Sequence, residues 1–257
     1  MRKIAFVNEK GGSGKTTLTI NVGAWLASQG KKVLLLDMDP QGHIGKSLGV
    51  EIHGLKRTVF DLLIYPDTRI EDAILPSNNE NLFLIPANKR LTDFVINVSD
   101  HADRHLKLQK KVDRLENFDY LLIDSPPSLG LLTVNILLAV NEVVIPVSLT
   151  YLALDGCAEI LDTVTVVKEN FGHDLLDVKL VVPTFFRDTI LVKSILNKLK
   201  HHFKSKLTET VVKFDMKLDQ AQSFGKTVFE FAPDSLGAKM MESVAKEVMD
   251  QNGRSPG

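Results

Sequence analysis

The residues best placed to do chemistry lie close to the start of the chain: Lys10-Gly11-Gly12-Ser13-Gly14-Lys15-Thr16-Thr17. Glycines let backbone N–H groups turn toward an anion with no Cβ in the way. A helix starting near Lys15 aims its positive end at the same point. In this pattern the Lys15 ammonium reaches the β- and γ-phosphates of a nucleotide, and the Thr16 hydroxyl ligates Mg²⁺. ATP with Mg²⁺ is the ligand that fits. A glycine-rich turn without a ligand is the competing account, and the order strand, loop, helix disfavours it.

Carboxylates follow at two strand ends. The run Leu34-Leu35-Leu36-Asp37-Met38-Asp39-Pro40-Gln41-Gly42 carries the first two. Strand alternation points Asp37 and Asp39 to one side, and the C-terminal ends of parallel strands face a ligand crevice. Asp37 is assigned to support the region of Lys15 and Mg²⁺. A plain turn at Asp-Pro-Gln-Gly is the alternative. The run Tyr120-Leu121-Leu122-Ile123-Asp124-Ser125-Pro126-Pro127 has the form of a Walker B strand, in which Asp124 holds Mg²⁺ through water.

Something must position these groups. Strands are predicted at Lys3–Val7, Lys32–Asp37, Leu82–Pro86, Tyr120–Asp124, Glu142–Val147, Val178–Val182 and Thr208–Val212. Several are apolar throughout, the mark of strands covered on both faces. Helices are predicted at Lys15–Ser28, His101–Glu116, Leu131–Val140, Leu152–Asn170, Ile190–Phe203 and Leu236–Met249. Loops are predicted at Pro66–Thr68 and Pro76–Asn81. The alternation gives an α/β fold, a doubly wound, mostly parallel sheet with helices on both faces. One P-loop domain over residues 1–250 and a flexible tail over 251–257 are expected. The chain has 257 residues, one cysteine (Cys157) and a net charge of −1. No disulfide framework is possible, a reducing cytoplasm suits the composition, and any basic surface must be local. No run is long and apolar enough to span a bilayer.

The loop departs from the ordinary phosphate-loop pattern, with Glu9 where glycine is usual and a second lysine, Lys10, ahead of the glycine pair. This form resembles the deviant Walker A class, which includes ParA, MinD, the nitrogenase iron protein and the arsenite-pump ATPases. The chain is similar to the ParA/Soj family over nearly its whole length. Asp37-Met38-Asp39-Pro40-Gln41-Gly42, Tyr151-Leu152-Ala153-Leu154-Asp155-Gly156, Leu218–Lys226 and Ala232–Ala238 carry the likeness. The resemblance implies a sandwich homodimer with two ATPs at its interface, in which Lys10 reaches the partner's nucleotide. Taken alone, Lys10 reads as a solvated surface lysine. The resemblance also ties Asp39 to orienting the attacking water, with a place beside the metal, and puts Pro183, Thr184 and Phe185 in the adenine-side loop. No region precedes the first strand, so the small form without an N-terminal helix-turn-helix is expected. The chain end lacks the basic amphipathic helix of MinD relatives, so no membrane contact is expected. Ser148, Thr150, Phe214 and Glu9 depart from common family residues. The Asn-Glu-Lys-Gly-Gly start also occurs in the carboxysome-positioning branch (McdA-like).

Between Arg187 and Lys226, nine Lys and Arg stand against four acids, leaving −6 for the rest of the chain. Lys193, Lys200 and Lys204 are expected on one side of a helix, with Lys213 and Lys217 after a strand. Composition alone makes this an ordinary solvated face. The resemblance implies nonspecific, backbone-directed binding of double-stranded DNA by the ATP dimer, hence nucleoid association, and release when a ParB-like or organelle-adaptor protein stimulates hydrolysis. The cargo could be a chromosome, a plasmid or a carboxysome. The rival reading is a metabolic or metal-transport ATPase that binds no DNA. Its ligands would come from Cys157 and the histidines at 43, 53, 101, 105, 173, 201 and 202, which give it little support: Cys157 reads better as a small buried hydrophobe, and His101/His105 and the His201-His202 pair as surface or helix residues.

Overall fold

A computed structural model describes residues 1–52 and 54–251; His53 and the expected tail beyond Gln251 lie outside the described residues. Among the described residues, seven strands form one sheet: β1 (Arg2–Phe6), β2 (Val33–Asp37), β3 (Leu75–Pro76), β4 (Leu82–Ile85), β5 (Tyr120–Asp124), β6 (Glu142–Ser148) and β7 (Asp177–Thr184). Their spatial order is β3-β4-β2-β5-β1-β6-β7. The short edge strand β3 runs antiparallel to β4, and the other pairings are parallel. β2 and β5 are buried along their full length, as their unbroken apolar sequence requires. Their register sets Asp37 opposite Asp124, and Phe6 also pairs with Asp124. Three strand ends therefore converge where the phosphate loop leaves β1.

The helices are α1 (Lys15–Ser28), α2 (His43–Ser47), α3 (Val59–Ile64), α4 (Phe94–Asn97), α5 (Lys107–Val112), α6 (Leu131–Ala139), α7 (Ala153–Phe171), α8 (Ile190–Phe203), α9 (Met216–Ser223), α10 (Val228–Phe231) and α11 (Leu236–Asp250). One core packs α1, α2, α9, α10 and α11 on one face of the sheet through Ile4, Phe6, Leu35 and Leu122. The other core packs α3 to α8 on the opposite face through Leu34, Leu36, Leu121 and Ile123. The alternation of neighbouring residues between the two cores is the two-residue period of a strand. Helix α1 is buried almost all round. Gly23 permits its approach, since a Cβ there would lie 2.6 Å from Leu35 Cδ2.

Three expectations are corrected. Residues 208–212 form no strand: the segment follows β7 through isolated bridges, Val181 to Leu207 and Phe186 to Lys213. Between those bridges the Glu247 carboxylate of α11 accepts the backbone N–H groups of Glu209 and Thr210, which pulls them out of a ladder. The helix expected over His101–Glu116 is helical only as α5; ahead of it Asn135 Nδ2 donates to the Arg104 carbonyl and fixes a turn there. The expected loop at Pro76–Asn81 begins inside β3, where Pro76 pairs with Phe83. The Pro66–Thr68 loop is irregular as expected, and the buried Lys111 ammonium ties it down by donating to the carbonyls of Tyr65, Pro66 and Thr68.

Candidate active site

The loop from Asn8 to Gly14 joins β1 to α1. Asn8 anchors its start: Nδ2 donates to the Pro146 carbonyl at the end of β6, and Oδ1 accepts the Lys10 N–H. Gly12 and Gly14 take positive φ, 69° and 92°, a conformation that side chains oppose. A Cβ built on Gly11 or Gly12 would meet nothing within 4 Å, so these glycines are not demanded by packing. They leave open the floor of a cavity of about 380 Å³ lined by the whole Gly11–Thr17 segment together with Asp39, Gln41, His43, Ser47, Pro127, Phe185, Asp219 and Gln222.

Lys15 is buried at the first turn of α1, and its Nζ donates to the Lys10 carbonyl at 3.3 Å. Burial lowers its pKa, and the nearby Asp124 and Asp39 carboxylates oppose that shift. Thr16 Oγ1 donates to Asp124 Oδ2 at 2.6 Å. The other oxygen, Asp124 Oδ1, is buried and has no hydrogen-bond partner, and so are Ser13 Oγ and Ser125 Oγ. Buried polar atoms are normally satisfied. Ser13 lines the cavity and Asp124 lies behind it on Thr16, so with the open glycine floor these orphans fit a site shaped for a phosphate chain and a hydrated Mg²⁺. Burial pushes the Asp124 carboxyl up to about 7, against the pull of the Thr16 hydrogen bond and Lys15, with Asp39 adding repulsion.

Asp39 lines the cavity, and its Oδ1 accepts the Gln41 N–H at 2.9 Å, which leaves Oδ2 facing His43 Nδ1 at 3.9 Å. Asp37 lies behind Asp39 and acts through the backbone. Its fully buried carboxylate accepts the N–H of Asp39 at 3.0 Å and of Ile44 at 2.9 Å, so it fixes the β2–α2 turn that presents Asp39 instead of touching Lys15. Burial and the facing Asp124 push the Asp37 carboxyl well above the ordinary range, and the two N–H donors resist this.

Lys10 is exposed, and its Nζ donates to Thr150 Oγ1 at 2.6 Å. Phe185 reaches the cavity, whereas Pro183 and Thr184 do not line it. Thr184 Oγ1 donates to the Ser13 carbonyl at 2.8 Å and so braces the loop from behind, and Pro183 is buried in β7. The five lysines at 193, 200, 204, 213 and 217 are all exposed. Lys193 and Lys200 lie on α8, but Lys204 does not share their helical side: the helix ends at Phe203, and Lys204 takes φ 49° in the turn beyond it. Asp188 pairs with Lys193 at 2.5 Å.

Asp219 and Gln222 of α9 were not foreseen at the site. Gln222 Nε2 donates to Thr17 Oγ1 at 2.8 Å across 205 positions of chain. No local pattern marks such a contact; only the packing of α9 on the α1 face brings it about.

The sequence profile of the family described as AAA domain matches residues 1–177. The chain is 39% identical to the sporulation initiation inhibitor protein Soj of Bacillus subtilis over 246 residues, 95% of this chain and 97% of that protein. It is 37% identical to the chromosome-partitioning ATPase Soj of Treponema pallidum, over 98% of this chain and 99% of the relative. Among solved structures, cobyrinic acid a,c-diamide synthase from Mycobacterium smegmatis with a bound ATP analog and magnesium superposes with a TM-score of 0.86 at 28% identity, covering 98% of this chain and 96% of the other. With the deviant loop, two acidic strand ends and these matches in hand, the chain belongs to the ParA/Soj family of P-loop proteins and is a Mg²⁺-dependent ATPase that converts ATP and water to ADP and phosphate.

Proposed function

We propose that this ATPase is a positioning switch: ATP closes a homodimer, the dimer binds nucleoid DNA without sequence preference, and a cargo-bound partner protein stimulates hydrolysis and releases it. The observation that carries the reading is the state of Lys10. Lys15 occupies the cavity of its own chain, while the Lys10 ammonium stands at the surface on Thr150. A cation that its own site does not use is available to the nucleotide of a second copy. The exposed lysines of the 187–226 stretch supply the second half of the reading, since paired copies double a patch whose DNA affinity grows with each phosphate neutralised. The name of the Treponema relative favours the chromosome as cargo, and a cytoplasmic, nucleoid-associated location follows from the same reading. Among the described residues, no helix is long and apolar enough to cross a membrane.

Within the site, the backbone N–H groups from Gly11 to Thr17 cradle the phosphates and Lys15 neutralises their charge. A bound Mg²⁺ would supply further charge neutralisation there. Thr16 and Asp124 are the residues that would hold that ion. Asp39 orients the attacking water, held in place by Asp37 behind it. Phosphoryl transfer needs positioning and charge neutralisation more than a strong base, which suits a carboxylate fixed by backbone N–H groups. Phe185 lies on the adenine side. The single-domain arrangement over residues 1–250 belongs to the same proposal.

The test is binding to a random-sequence duplex without nucleotide, with ADP and with ATP, at two salt concentrations. The expected result is binding with ATP only, weakened by about tenfold or more between 50 and 200 mM salt, prolonged by Asp39→Ala and lost in Lys10→Ala. Binding of ATP with no DNA retention in any state would overturn the switch and return the chain to the metabolic reading.

A further inference from the structure

The phosphate-loop helix and the distant C-terminal helix α9 meet in one side-chain hydrogen bond, Gln222 Nε2 to Thr17 Oγ1 at 2.8 Å, and Thr17 and Gln222 both line the nucleotide cavity. We propose that Gln222 is a positioning residue for nucleotide binding, which acts by fixing the direction of the Thr17 hydroxyl proton.

The argument rests on what each group can do. An amide nitrogen only donates, so the Thr17 oxygen must accept in this contact. A hydroxyl has a single proton, and it cannot point back along a bond its oxygen is accepting. The proton is therefore turned to another acceptor. Inside helices a threonine hydroxyl ordinarily finds one in the carbonyl four residues back, as Thr19 does with Lys15. For Thr17 that fourth residue is Ser13, whose carbonyl already accepts Thr184 Oγ1, and among the described residues Thr17 Oγ1 appears only as the acceptor from Gln222. Anionic phosphate oxygens bound in the cavity that Thr17 lines would be stronger acceptors than the remaining lone pair of the Ser13 carbonyl, and a pre-aimed donor loses less orientational freedom on binding.

The amide is itself held. The turn after α9 packs on the turn after α2 at Gly225, where a Cβ would stand 2.8 Å from Gly49 Cα, and the first turn of α9 is capped by Asp215 Oδ1 accepting the Lys217 N–H. Asp215 Oδ2 also accepts the Gly237 N–H of α11. The helix is thus braced from two sides, which keeps the donor fixed in space.

The inference rests on the nucleotide site proposed above, and its test separates the two. ATP affinity is measured by fluorescent-nucleotide titration, with Mg²⁺, for the native protein, Gln222→Met, Gln222→Glu, Thr17→Val and each double variant, with the thermal midpoint recorded for all. Lys15→Ala serves as the control for the site itself, and its loss of binding supports that reading whatever happens at Gln222. The expected result is a Kd raised about fivefold by Gln222→Met, within the range one orienting hydrogen bond is worth. Gln222→Glu raises it further, because a carboxylate accepts the proton and turns it away from the phosphate. In the Thr17→Val background Gln222→Met changes nothing, and Gln222→Glu retains only the part due to its charge, since a double-mutant cycle isolates the shared term. A Kd within twofold of the native value in Gln222→Met overturns the proposal. So does an equal loss in both backgrounds, which would mean that the amide acts on the nucleotide directly or through the fold alone. A variant with a lowered thermal midpoint is read through its partner substitution at the same position.

Discussion

At the scale of single residues, the site stores its readiness in an unmatched carboxylate. Asp124 is fully buried, one of its oxygens lacks a partner, and its pKa is pushed up to about 7. An unfolded chain gives up that proton near the ordinary carboxylate value of about 4. Between those two values the folded, nucleotide-free protein binds more protons than the unfolded one, so its stability falls as pH rises through that window. Asp37, raised in part by Asp124 beside it, acts in the same direction. Asp124→Asn removes the charge, so its thermal midpoint at pH 8 should exceed the native value by roughly 5 °C, with the two curves meeting near pH 4. A midpoint at pH 8 equal to or below the native one would show that the buried carboxylate costs nothing. On the proposed role of Asp124 as a Mg²⁺ ligand, binding displaces the same proton, so the joint affinity of Mg²⁺ and nucleotide should drop as pH falls below about 7, with proton release visible by calorimetry in buffers of different ionisation heat.

At the scale of elements, glycine serves two purposes that substitution can tell apart. At Gly225, φ is 67° and a Cβ would press on the Gly49 backbone at 2.8 Å. Gly225→Ala should therefore destabilise the fold by about 2 kcal/mol or more in urea unfolding, from strain and overpacking together. At Gly11 a Cβ meets only open cavity, so Gly11→Ala should leave the unfolding midpoint in place and weaken ATP binding. Unfolding that moves in both variants, or in neither, would remove the distinction. The same contrast explains how far the sequence could be read. Helices α1 and α8 fall on the residues their patterns predict, and β5 does too, because a long amphipathic or apolar run bounded by caps leaves little choice. The phosphate loop, Asp39 and Asp124 were legible because each sits at a strand end of fixed direction. Short α2, α9 and α10 carry too few turns to show a period, and the Glu247 contact that pulls residues 209 and 210 out of a strand spans distant parts of the chain. Gln222, and the reach of Asp37 to Ile44 in place of Lys15, were hidden for the same reason.

At the scale of the molecule, a sheet ordered β3-β4-β2-β5-β1-β6-β7 gathers the acidic strand ends and the glycine loop at one end, while the basic stretch follows the edge strand β7. The ATP site and the proposed DNA surface are thus served by neighbouring parts of one framework, with α9 contributing Gln222 to the one and Lys217 to the other. The central place of β1 has a further consequence, for synthesis. Strand β1 leaves the ribosome well before its partners: it pairs with β5 from Arg2 to Tyr120 and with β6 from Ile4 to Glu142. At about 5–20 residues per second, β1 and the loop behind it wait on the order of ten seconds for their partners to be made. Contacts so distant in sequence also form slowly once available. A ribosome-stalled chain that has exposed only residues 1–130 should bind no fluorescent ATP, and one that has exposed the full length should. Until β6 emerges, the apolar face of β1 is the part of the nascent protein most in need of a chaperone, and the nucleotide cannot help it fold because the pocket that would hold the nucleotide is assembled last.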